Sequence, residues 1–71
     1  MFYIVEIDRF MNDDPEARAI YEYNSHDEAL LALYNTMSYA MQNDNIKNIL
    51  CMIITVDGFT DRREYWEREE N

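Results

Sequence analysis

His26, Cys51 and the acidic group Asp13, Asp14 and Glu16 are the residues whose types could support chemistry. A histidine acts as a general base only with a nucleophile and an orienting group in reach. His26 falls in the first turn of a predicted helix, and no Ser or Cys is clearly placed to pair with it. It reads as a helix-start residue packed at a sheet edge. Cys51 lies among Ile and Met, where a thiol behaves as a small hydrophobe with a raised pKa. Asp13, Asp14 and Glu16 resemble a loose calcium cluster, but they lack the glycine turn and distal bidentate Glu of an EF-hand. They read as solvated turn acids. One Cys and one His cannot form a zinc site of the usual type, and one Cys excludes an intramolecular disulfide. The single glycine, Gly58, cannot make a phosphate-cradling loop. No catalytic, cofactor-binding or metal residue is assigned, and a non-enzyme without cofactors is expected.

The elements that position these residues belong to one small domain. The chain has 71 residues, 48% of them hydrophobic and 14% aromatic, a globular composition. A domain this short buries only about 60% of its unfolded surface, so its core has little margin. Fifteen acids against six bases give a net charge of −9. Direct binding to nucleic acid or to an anionic membrane is therefore disfavoured. The N-terminus alternates apolar and acidic residues, and no run approaches the ~18 apolar positions of a membrane span. The default compartment is a reducing cytoplasm.

Ile46–Val56 is the longest apolar run, is rich in β-branched residues, and reads as the central strand. Phe2–Asp8 alternates apolar and acidic positions as a strand does, and Ala17–Tyr23 resumes the alternation after the turn Asn12-Asp13-Asp14-Pro15. Ser25-His26-Asp27-Glu28 is a capping box, which predicts a helix from about His26 to about Gln42. Its apolar face holds Ala29, Leu30, Leu33, Tyr34, Met37, Ala40 and Met41. Asp57-Gly58 predicts a hairpin with positive φ at both central positions, and the last strand covers Phe59–Trp66. The predicted fold is α+β: a two-layer ββαββ domain over residues 1–66, with a charged tail at 67–71. The sheet is four-stranded and antiparallel, in the order 2-1-3-4, with one helix on one face.

One helix covers one face, and the central strand is apolar on both. The helix-covered face is expected to hold Tyr3, Val5, Ile7, Ala17, Ala19, Tyr21, Leu50, Met52, Ile54 and Val56. The helix-free face is then expected to hold Phe2, Ile4, Ile20, Ile49, Cys51, Ile53 and Trp66. Monomers rarely expose a contiguous apolar patch beyond a few hundred Å². These seven residues are therefore candidates for an interface with a second copy or another protein. A second candidate is an acidic patch at one end of the domain, made of Asp13, Asp14, Glu16, Asp44, Glu67, Glu69 and Glu70. Such a field could steer a basic partner.

Three stretches, MFYIVEI, EARAIYEYNSHDEAL and LCMIITVDG…EYW, give the chain a resemblance to short acidic proteins of phages and prophages of Gram-positive bacteria. The resemblance covers most of the chain and brings no catalytic signature. It implies a small accessory, virion-associated or host-interaction protein made in the cytoplasm of a bacterial host. The leading expectation is a non-enzymatic protein–protein interaction protein, self-associating or docking through the helix-free face, with a homo-oligomer as the simplest form. One alternative is an acidic nucleic-acid mimic that inhibits a host defence nuclease of the anti-restriction or anti-CRISPR type. Another is a small-ligand binder using the tyrosine-lined sheet.

Overall fold

A computed structural model describes residues 1–69. Strand β1 (Phe2–Phe10) is followed by β2 (Ala17–Tyr23), helix α1 (His26–Gln42), β3 (Ile46–Thr55) and β4 (Thr60–Glu67). The strands form one antiparallel sheet in the order β2-β1-β3-β4, with α1 on one face. The predicted α+β architecture and strand order are those of the structure. Ser25 caps the helix with extended backbone, and its Oγ accepts the Glu28 N–H at 3.1 Å. This satisfies one of the donors that every helix start leaves free.

The β3–β4 turn differs from the predicted one. Thr55 O accepts from Gly58 N at 2.9 Å, and Thr55 N donates to Phe59 O at 2.9 Å. Val56, Asp57 and Gly58 thus form a three-residue loop. Only Gly58 has positive φ, +89°, among the described residues. This is the type I turn closed by a left-handed residue, in which the glycine alone takes the unusual angle. β4 also runs one residue further than predicted, through Glu67.

Register decides what the helix covers. Ile4 pairs with Ile53, Glu6 with Cys51 and Asp8 with Ile49, so these side chains share one side of the sheet. Ile4, Ile49, Cys51 and Ile53 are buried with Ala29, Leu33, Met37, Ala40 and Ile46 in a single core. Phe2 and Trp66 pack against it from the same side. The sequence-based face assignment is therefore inverted. Phe2, Ile4, Ile49, Cys51, Ile53 and Trp66 lie on the helix side. Of the seven candidate interface residues only Ile20, 70% exposed, lies on the helix-free side. Tyr3, Val5, Ile7, Leu50, Met52 and Ile54, expected under the helix, are the ones it leaves uncovered, and Val56 is exposed in the turn. Ala17, Ala19 and Tyr21 of β2 do face the helix side as expected, because β2 pairs odd-numbered residues with even ones of β1.

The inversion has a physical cause. The even-numbered side of β1 turns acidic at Glu6 and Asp8, a pattern more usual on a face open to solvent. Both instead sit on the helix side, next to the small Ala17 and Ala19 of β2. The helix lies chiefly over β3, so this flank of the sheet tolerates acids.

Candidate functional site: the helix-free sheet face

The helix-free face is built from cross-strand rows. One row runs Ile20–Val5–Met52–Arg63 across all four strands, and the next runs Arg18–Ile7–Leu50–Tyr65. A third holds Glu22, Tyr3 and Ile54, with Thr60 beyond a bulge at the β3–β4 pairing. The six side chains on the two central strands are all apolar or aromatic. They are only half-buried, by one another, because no second layer of the described residues lies over them. The edge strands carry arginine, glutamate and tyrosine around this centre. An apolar centre within a rim rich in Arg and Tyr is the anatomy of a protein interface.

Charge is distributed unevenly over the molecule. The helix-free face holds Arg18 and Arg63 by register, with Arg9, Glu16, Asn48 and Tyr65 lining a shallow depression at its end. Glu22 and Glu67 share that side. Three arginines therefore balance three glutamates there, while the whole chain carries −9. Glu16 accepts from Arg18 at 2.7 Å and Arg9 at 3.2 Å, and these two bonds hold its carboxyl below the usual range.

The acidic patch does gather at one end. Met11 N donates to Asn45 O at 2.7 Å, joining the β1–β2 loop to the α1–β3 turn, and Arg68 N donates to Lys47 O at 2.8 Å. Asp13, Asp14, Asp44, Glu67 and Glu69 are exposed in this region, while Glu70 lies outside the described residues. Bases are interleaved with the acids. Arg9 and Lys47 line a surface depression with Asp13, Asp14 and Glu16, whose charge the two arginines already compensate.

The candidate chemical residues are held in structural contacts. His26 Nε2 lies 2.6 Å from Asp61 Oδ2, and its ring meets Phe2 edge-on at 5.4 Å, tying the helix start to β4 and β1. Burial pushes the Cys51 thiol up to about 12, with smaller contributions from Glu6 and Asp8, so it is not poised as a nucleophile. Burial also pushes Glu6 up to about 7, aided by the neighbouring Asp8 carboxyl. Among the described residues, no three His, Cys, Asp or Glu side chains come together in a metal-binding group, and no helix is long and apolar enough to cross a membrane.

Sequence reasoning missed Arg68, which it placed in a frayed tail. Its Nε donates to Ile46 O at 3.0 Å and its Nη2 to Asn43 O at 2.8 Å, with a longer 3.5 Å contact to Met41 O. The guanidinium also lies over the Trp66 ring, 4.9 Å from its centroid. The last turn of α1 contains no base, so Arg68 supplies from β4's end the positive charge that a helix C-terminus favours. That missing base was the signal available in the sequence.

Comparison with protein-family models, curated proteins and solved structures finds no match for this chain.

Proposed function

We propose that this chain is a small, non-enzymatic protein–protein interaction protein that docks through its helix-free sheet face. The reading is of an accessory or virion-associated phage protein acting in the bacterial cytoplasm, the context its resemblance implies. One observation carries the docking: the continuous apolar centre formed by Tyr3, Val5, Ile7, Leu50, Met52 and Ile54, with no layer of the described residues above it. Antiparallel sheets that face water normally alternate apolar with polar residues, and this one is apolar on both sides of its central strands. The nucleic-acid-mimic alternative gains no such support, because Arg9 and Lys47 stand among the acids it would use.

The test is a photo-crosslinking amino acid at Met52, compared with one at Leu31, an exposed helix position. Irradiation in the cell that makes the protein should give discrete protein adducts from position 52 and none from position 31. No adduct from position 52 would sink the reading.

A further inference from the structure

The geometry points to a second copy of this chain as the occupant of the helix-free face, packed sheet to sheet about a two-fold axis along the Ile20–Val5–Met52–Arg63 row. This rests on the docking reading above and names its partner. Three observations carry it.

The first is charge. Two molecules of −9 repel one another, so self-association requires a contact surface that does not share the excess. The helix-free face is formally neutral, with Arg9, Arg18 and Arg63 set against Glu16, Glu22 and Glu67. A strongly basic partner would find its attraction at the acidic end of the domain instead.

The second is symmetry. A two-fold contact places residue i against j and j against i. Arg18 and Glu22 lie two residues on either side of Ile20 on β2, each about 7 Å along the strand from it. Rotation about the Ile20–Val5–Met52–Arg63 row turns each β2 over onto its counterpart. Arg18 of each copy then lies opposite Glu22 of the other, making the ion pair twice. The same rotation sets Tyr3 against Ile7 and Leu50 against Ile54, so apolar residues meet apolar ones along both central strands, while Arg63, on the axis at the exposed edge strand β4, meets its own copy, a like-charge contact that the two Arg18–Glu22 pairs must outweigh. Glu22 has no ion-pair partner of its own among the described residues, and Arg18 bonds Glu16 through Nε alone, so the terminal nitrogens of its exposed side chain are left to reach outward. Strands of two such sheets would cross near the −30° of aligned sandwiches.

The third is area. The molecule measures 39 × 20 × 14 Å, a slab whose broad face is of the size that a standard interface needs, about 800 Å² per partner.

Sedimentation equilibrium on the purified full chain, from micromolar to millimolar concentration, tests the assignment. The parent should approach twice its 8.6 kDa mass. Arg18→Glu and Glu22→Arg should each weaken the dimer by roughly tenfold or more, since each sets like charges opposite one another twice. The double variant Arg18→Glu/Glu22→Arg should recover most of the loss. Both positions are exposed, and circular dichroism should show the parent fold throughout. A parent that stays monomeric at millimolar concentration, or a double variant no better than the worse single one, overturns the second-copy assignment. If the parent is monomeric while Met52 captures a different protein in cells, the second copy is overturned and the docking face stands. Capture of nothing removes both.

Discussion

Glu6 and Arg68 show how far single residues here depart from their usual roles. Glu6 sits on the helix side of β1 beside Asp8, and burial raises its pKa to about 7 from the usual 4.5. The folded state therefore holds this proton more tightly than the unfolded chain does. Its contribution to stability is complete below about pH 4.5 and is lost as pH rises through about 7. Glu6→Gln should melt above the parent at pH 8, with the gap closing towards pH 4.5, in paired thermal melts. A constant gap across that range would contradict the assignment. Arg68 makes charge-assisted bonds to carbonyls at the helix end, a class typically worth about 1.5–3 kcal/mol each. It is partly solvated, so Arg68→Ala should cost about 2 kcal/mol in urea unfolding. Arg68→Lys should recover only part of this, because a single ammonium cannot reproduce the guanidinium fork.

At the scale of elements, the turns and caps were legible because each rests on local chemistry. Ser25 announces the helix, and the helix begins one residue later. Gly58 announces the hairpin, and it holds the only positive φ among the described residues. A Cβ at Gly58 would meet nothing within 4 Å, so the penalty of Gly58→Ala is one of backbone conformation alone. It should be about 1–2 kcal/mol, and Gly58→Asn should cost less because Asn tolerates that region. Equal stabilities for the Ala and Asn variants would point instead to a turn that rearranges. What local chemistry does not encode is which face of β3 the helix takes. Leu50, Met52 and Ile54 alternate with Ile49, Cys51 and Ile53, and both sets are apolar. A sheet register slipped by one residue exchanges every side chain between the faces. One clue was available: Ile and Cys rank among the residues most often fully buried, and the buried set is Ile4, Ile49, Cys51 and Ile53. The opposite set, with tyrosine, methionine and arginine around it, has the composition of an interface. The acids at Glu6 and Asp8 point the other way, and the residues expected on the helix-free face of β1 and β3 are those the helix covers.

The whole molecule divides into a core side and an uncovered side, and substitution can tell them apart. Ile53 is fully buried, so Ile53→Glu sets an unpaired charge in the core and should leave the domain unfolded at 25 °C. Met52, its neighbour on the strand, faces the other way. Met52→Glu should give a folded monomer with a melting curve close to that of the isolated parent subunit, read by circular dichroism and sedimentation together. If both variants unfold, the helix-free face is a core surface and the docking reading loses its basis. Salt should also act in a characteristic direction. Screening lengths fall from about 30 Å at 0.01 M to about 8 Å at 0.15 M, which relieves the repulsion between two acidic copies. Self-association should therefore tighten with added sodium chloride, where binding of a basic partner would weaken.

Cys51 has one more consequence, for measurement. It is the only thiol in the chain, lies at zero exposure between helix and sheet, and is held almost wholly protonated. Alkylating reagents need a thiolate they can reach, so they react only in the moments when α1 has lifted off. The rate of iodoacetamide labelling then counts openings of the layer, and the residue serves as a clock already installed in the protein.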